Sequence, residues 1–283
     1  MTRQDGDVTD AELVARTDRP RTRASIAADL RALGLRTGSV LLVHGSVAAL
    51  GWVAGGPVAV VQGLLDALGP EGTLVVPTHT PENSDPAKWR NPPVPQDWWA
   101  TIREAMPGFD PAVTPSRFMG AVAETVRTWP GARRSDHPVT SFAAYGPRAD
   151  SIVAEHRLDD GLGDSSPLGR VYEADGDVLL LGVGHGSNTS LHLAEYRVTD
   201  PPRARFGGAV LGTGGREWTW WDDVDVDEDD FERLGVDLDA TGVVTIGQVG
   251  SARCRLMRQR AAVDFAVWWF AAHRPRPGSP IMA

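Results

Sequence analysis

Val40-Leu41-Leu42-Val43-His44-Gly45-Ser46 and Thr73-Leu74-Val75-Val76-Pro77-Thr78-His79 are the stretches that decide the fold. Each carries a short apolar run of the kind buried in a sheet with both faces covered, and each ends in a turn that bears a histidine. Between them, Gly55-Gly56-Pro57 leads into Val58, Val61, Leu64, Leu65 and Leu68, a helix with proline in its first turn and Gly69 as its stop. Strand, helix and strand joined by short links make a parallel βαβ unit. Ligands on such sheets collect at the C-terminal ends of the strands, where His44 and His79 stand.

Working outward, Thr22 to Leu33 has the spacing of an amphipathic helix (Ile26, Leu30, Leu33) ended by Gly34, and residues 1–20 before it read as a loosely ordered lead-in. Pro81 to Pro115 is rich in proline and tryptophan and reads as a long loop carrying short helices at most. Ser116 to Thr128 has helical spacing through Phe118, Val122 and Val126. Asp177-Val178-Leu179-Leu180-Leu181-Gly182 is the clearest buried strand, and it passes through a glycine turn into a helix that opens near Ser187, Asn188 or Thr189. Residues 205–221 read as a hairpin, Gly242 to Val249 as a strand and Arg255 to His273 as a helix. The expectation is a single mixed α/β domain with a central, largely parallel sheet flanked by helices, spanning residues 21–283.

The chain has 283 residues, 42% of them hydrophobic, enough for one large core. Its longest apolar stretches fall short of the roughly 20 residues a membrane span needs, so no membrane partner is expected. Met1-Thr2-Arg3-Gln4-Asp5-Gly6-Asp7 is polar and acidic, with neither a secretory nor a transit pattern, and a cytoplasmic protein is the expectation. The one cysteine, Cys254, excludes an intrachain disulfide and reads as a small core residue. A net charge of −9 disfavours nucleic acid and favours cationic or neutral small partners. Much of the excess lies in the run from Asp222 to Glu232, read either as a solvated loop or as a surface that attracts cations. The ten tryptophans suit a self-association face as well as a core or a sugar site, which leaves a homo-oligomer open.

Of the seven histidines, two fall in the helix entry Gly184-His185-Gly186-Ser187-Asn188-Thr189-Ser190-Leu191-His192-Leu193-Ala194-Glu195. His192 and Glu195, three apart, share a helix face, so the carboxylate can orient and polarise the imidazole as a general base; an ordinary surface pair has the same spacing. The first-turn amides and the Thr189 hydroxyl are candidate donors to an oxyanion. A metal set of His185, His192 and Glu195 is disfavoured, because a separation of seven puts the imidazoles two turns apart, and no metal is expected. No serine-hydrolase elbow or Walker loop is present. The glycine-rich segments Gly51 to Gly56 and Gly161 to Pro167 read as tight turns or as cradles for a phosphate or pantetheine arm.

The order of these pieces resembles the aminoglycoside 3-N-acetyltransferase family over nearly the whole chain. The matching segments are Leu42-Val43-His44-Gly45-Ser46, Leu50 to Gly56, Leu74 to Thr78, Ser116-Arg117-Phe118-Met119-Gly120, Arg134 to Phe142, Gly163 to Leu168 and Asn188 to Glu195. The resemblance implies an antibiotic N-acetyltransferase fold distinct from the common acetyltransferase fold, acetyl-coenzyme A as cosubstrate, and a cationic aminoglycoside as substrate. It implies catalytic roles for His192 as base, Glu195 as its orienting partner and Thr189 near the oxyanion, with His185 a second candidate for the base. It also implies cofactor contacts for His44, Ser46, Ser135, His137 and Ser166. Asp222, Asp223, Glu124 and Thr78 are the candidate substrate contacts, the acidic pair because aminoglycosides carry several ammonium groups. The sequence departs from the family pattern at Gly45, where many members have serine or alanine. Two rivals remain beside aminoglycoside transfer: an N-acetyltransferase for another amine, and a binding module without turnover.

Overall fold

The computed structural model describes residues 9–274; the ends of the expected lead-in and of the expected domain, residues 1–8 and 275–283, lie outside it. In chain order the helices are α1 (Asp10–Ala15), α2 (Arg23–Ala32), α3 (Gly56–Leu68), α4 (Trp99–Ala105), α5 (Gly120–Arg127), α6 (Ala149–Val153), α7 (Pro167–Glu173), α8 (Ser190–Arg197), α9 (Phe231–Ala240) and α10 (Gln259–His273). The strands are β1 (Val40–Gly45), β2 (Thr73–Pro77), β3 (Arg133–Arg134), β4 (Phe142–Tyr145), β5 (Asp177–Leu181), β6 (Arg203–Gly212), β7 (Gly215–Val224), β8 (Val244–Val249) and β9 (Ala252–Arg258).

Seven strands form one sheet in the order β3-β4-β2-β1-β5-β9-β8. The parallel pairings are β1 with β2 and β1 with β5, and the other four in this sheet are antiparallel. The domain is mixed α/β as expected, but the expectation of a largely parallel sheet needs correcting: its parallel part is only the central three strands. The reason is local. β4 and β9 are each the second strand of an antiparallel pair of consecutive strands, β3–β4 and β8–β9, and so run back against β2 and β5.

Alternate residues of the central strands feed two separate cores. Leu41, Val43, Leu74, Val76, Leu179 and Leu181 pack with α2, α3 and α5 on one face. Leu42, Val75, Val178 and Leu180 pack with α7, α8, α9 and α10 on the other. Each fully buried leucine among them contributes about 1.5–3 kcal/mol relative to exposure. Caps sharpen the helix ends: Thr22 and Ser25 form a reciprocal capping box on α2, and the Ser166 hydroxyl accepts from Leu168 N–H ahead of Pro167 on α7.

The ribbon β6–β7 pairs from Arg203↔Val224 to Gly212↔Gly215 and stands apart from the main sheet. Asn83 fastens the 81–115 loop to it, donating from Nδ2 to Ala209 O at 3.0 Å and to Pro138 O at 3.2 Å. That loop carries short 3-10 turns and α4, as its composition suggested. Two boundaries moved. α5 starts at Gly120, because Phe118 has φ 63° and lies outside the helix. Residues 252–258, partly assigned to the last helix from sequence, are strand β9 instead. Among the described residues no helix is long and apolar enough to cross a membrane.

Candidate active site

The connection from β1 to β2 runs through α3 on one face of the sheet, while α7, which leads into β5, packs on the other. The connections therefore diverge at β1, and the C-terminal ends of β1 and β5 border the crevice where open α/β sheets place their ligands. His44 is the penultimate residue of β1 and is buried. β5 leaves the sheet at Gly182, whose φ of 71° and tight approach to Ala49 require glycine, and after a 3-10 turn (His185–Ser187) the chain enters α8.

On α8, His192 Nδ1 and Glu195 Oε2 are 2.5 Å apart. The side chain of Glu195 is 4% exposed and that of His192 13%, so this is no solvated surface pair. The other carboxylate oxygen of Glu195 accepts from Asp227 N–H at 2.9 Å and from Arg274 Nη1 at 2.5 Å. Those two donors occupy Oε1 and leave Oε2 to accept from the ring, so the hydrogen of the short bond belongs to Nδ1. The lone pair is then on Nε2, for which no partner is present among the described residues. The imidazole is fixed further by the Phe231 ring, centroids 4.8 Å apart. One turn earlier, Thr189 is half-buried, and its hydroxyl makes no hydrogen bond among the described residues. The first-turn amides that the sequence offered for an oxyanion are already used: Thr189 N–H bonds Ser187 O, Ser190 N–H bonds Asn188 Oδ1 and Leu191 N–H bonds Asn188 O.

Four more histidines cluster at the same end of the sheet. His44, His79 and His137 each bury Nε2 without a partner among the described residues. Burial holds His44 and His79 down to about 3, with the nearby His192 pushing the same way. Burial likewise holds His137 well below the ordinary range and His156 at about 4. All four are neutral imidazoles at neutral pH. The His137 Nδ1 accepts from Val139 N–H and Thr140 N–H at 3.1 and 2.9 Å, which puts its hydrogen on Nε2. Ser135 accepts from Phe142 N–H and donates to His156 Nδ1, each at 2.9 Å. The orphaned Nε2 atoms are what an absent polar ligand would satisfy. Ser46, just past β1, accepts from Ala49 N–H at 3.3 Å.

The remaining candidates are engaged in the framework. His185 is buried beneath Gly235 of α9 and bonds Asp239 at 2.9 Å, whose second oxygen takes Arg255 at 2.8 Å. Ser166 is fully buried as the cap of α7 and donates to Gly163 O at 2.6 Å. Thr78 is buried, its hydroxyl bonded to Ser141 and to the half-buried Arg134. Glu124 is taken up by Ser116 and Arg127, at 2.7 and 2.5 Å. Asp223 accepts from Gly161 N–H, Tyr196 OH and Val224 N–H, and burial raises its carboxyl above the usual range. Asp222 alone of that pair is exposed. Glu232 accepts from Gly186 N–H at 2.7 Å and braces the loop into α8. No group of three or more His, Cys, Asp or Glu among the described residues is placed to hold a metal ion.

Glu232 and Arg274 join the residues expected from sequence, and His79, expected only as a strand-end histidine, stands with the other buried imidazoles. Arg274 was not legible in the sequence, since 79 residues separate it from Glu195.

Residues 42–271 match the aminoglycoside 3-N-acetyltransferase family. The SPbeta prophage-derived aminoglycoside N(3')-acetyltransferase-like protein YokD of Bacillus subtilis is 44% identical over 92% of this chain and 96% of its own. Its crystal structure superposes with a TM-score of 0.91 over 93% of this chain and 98% of that one. Aminoglycoside N(3)-acetyltransferase VII of Streptomyces paromomycinus is 36% identical over 95% and 98% of the two chains. The structure of AAC-IIIb with CoASH is 32% identical, with a TM-score of 0.81, covering 92% of this chain and all of that one. By sequence over most of its length and by fold, the chain belongs to the aminoglycoside 3-N-acetyltransferase family.

Proposed function

We propose that the chain transfers acetyl from acetyl-coenzyme A to the 3-amine of a 2-deoxystreptamine aminoglycoside in the cytoplasm, with His192 as general base and no acyl-enzyme. The observation that carries this reading is the Nε2 of His192, without a partner among the described residues, on a ring locked by Glu195 and near the imidazoles of His44 and His79. The amine nitrogen attacks the thioester carbonyl while Nε2 takes its proton. The carbonyl π electrons move onto oxygen, where the Thr189 hydroxyl is the available donor, and collapse breaks the carbon–sulfur bond and expels the coenzyme A thiolate. The imidazolium returns the proton to that thiolate or to solvent. The imidazolium that forms is stabilised by Glu195, whose charge is already in place, so no reorganisation is needed at that moment.

His137 and Ser135, on the connection between β3 and β4, are the proposed cofactor contacts together with His44 and Ser46; Ser166 supports the 161–167 turn as a cap. The exposed carboxylates of the acidic segment, Asp222 and Asp225 among them, raise the local concentration of a polycation. AAC-IIIb, a solved relative, was crystallised with CoASH, which supports the choice of donor. The test is release of free thiol from acetyl-coenzyme A with kanamycin or gentamicin, comparing wild type with His192→Ala. Turnover that requires drug and falls about 10²- to 10⁴-fold in the variant is expected. A wild type silent on every 2-deoxystreptamine drug overturns the substrate, and an unaffected variant overturns the base.

A further inference from the structure

Glu195 orients His192 through one oxygen and meets Arg274 through the other, so it is the middle of a chain. Arg274 follows α10 directly and turns back over Phe270, its guanidinium 3.8 Å from the ring centroid. Its Nε and Nη2 fork onto the two oxygens of Asp230 at 2.9 and 2.6 Å, Nη2 also donates to Asp227 O at 2.6 Å, and Nη1 reaches Glu195 Oε1 at 2.5 Å. One cation thus joins the C-terminal helix, the acidic segment and the orienting carboxylate. The planar fork of arginine makes all four contacts at once, which a lysine ammonium on a single stem does not. Burial works against the Arg274 charge, but Asp230 and Glu195 outweigh it and hold the guanidinium more firmly protonated than usual.

We propose that Arg274 is a positioning residue for acyl transfer, fixing the Glu195 carboxylate through Oε1 so that Oε2 accepts from Nδ1 and His192 keeps its lone pair on Nε2. The proposal rests on the reading of His192 as base. Without Arg274, Glu195 is a buried carboxylate with no cation beside it, a state that favours taking up a proton. If the Nδ1 proton passes to Glu195 Oε2, the imidazole stays neutral only with a proton gained from solvent on Nε2. That is the wrong tautomer to accept a proton from the amine. The same contacts make Asp230 a counter-ion of Arg274 and use the Asp227 backbone to bridge Arg274 and Glu195, so the acidic segment is only in part a surface for cations.

The test uses Arg274→Gln, which keeps the stem over Phe270 and removes the charge, and Arg274→Lys, which keeps the charge. Expected for Arg274→Gln is a fall in kcat of about 10- to 100-fold with both KM values within about threefold, and partial recovery in Arg274→Lys. A second readout needs no substrate: the downfield proton resonance of the His192 Nδ1–H bond, assigned by its loss in His192→Gln, moves or disappears in Arg274→Gln. An unchanged resonance in folded Arg274→Gln overturns the proposal whatever the kinetics, and so does a kcat within about twofold of wild type. Should Arg274→Gln not fold by circular dichroism, Asp230→Asn frees the guanidinium from its second anchor; a resonance unmoved there overturns the proposal as well. If no aminoglycoside is acetylated by wild type, the functional reading fails while the resonance still decides the role of Arg274.

Discussion

Acidification from pH 7.5 to 5.0 is expected to cost the fold about 6 kcal/mol through three buried histidines alone, against a total stability of about 5–15 kcal/mol for a typical domain. His44 and His79 titrate at about 3 in the folded chain and His156 at about 4, all from burial first, whereas an unfolded histidine titrates near 6.5. A folded value below the unfolded one means that the unfolded chain takes up protons which the folded chain refuses. The stabilising contribution is complete above about pH 6.5 and is lost as pH falls towards 4. Each group loses about 1.4 kcal/mol per pH unit in that window, or about 2 kcal/mol at pH 5. His137, also held well below its ordinary range by burial, acts in the same direction. Carboxylates at ordinary values contribute below this window and Asp223, raised by burial, acts in the opposite direction, so one histidine's share is read from the difference a substitution makes. The assay is urea unfolding followed by tryptophan fluorescence at half-unit pH steps. His79→Leu should reduce the pH 7.5-to-5 loss by about 2 kcal/mol, one group's share. A wild-type loss of less than about 2 kcal/mol over the same range refutes the assignment of these imidazoles as buried and neutral.

Two further substitutions probe the site and its support. Thr189→Val removes the only hydroxyl in the first turn of α8 that is free among the described residues; kcat should fall about 10²- to 10³-fold with KM nearly unchanged, measured by thiol release at saturating substrates. In Gly235→Ala the added Cβ would overlap the His185 ring, which Asp239 holds from the other side, so the thermal midpoint should fall by an amount equivalent to about 1–3 kcal/mol.

Much of this protein is local and therefore readable in sequence order. The runs at 40–43, 74–76 and 178–181 are continuous because both faces of the central strands are covered, and they became β1, β2 and β5 with little change. The bounds of α3 follow from Pro57 and Gly69, residues that act on their own backbone. The pairing of His192 with Glu195 follows from helical spacing and needs no distant partner.

What the chain order could not decide depends on neighbours far away in sequence. Arg253 and Arg255 alternate with the buried Ala252, Cys254 and Leu256, a strand pattern that continues directly into helix, and only pairing with β5 and β8 ends it at Arg258. Asp222 and Asp223 are chemically alike and adjacent, yet strand alternation exposes one and buries the other among Gly161, Tyr196 and Val224. His185 and His192 both stand in one motif, and the packing of α9 on the 182–188 loop sends the first to Asp239 and leaves the second with an open nitrogen. The sequence by itself determined the three central strands, their ends and the contact of His192 with Glu195, because those rest on backbone chemistry and short spacings. The fate of each charge was decided only in three dimensions, because whether a carboxylate meets water, a histidine or Arg274 depends on which segments the fold brings together.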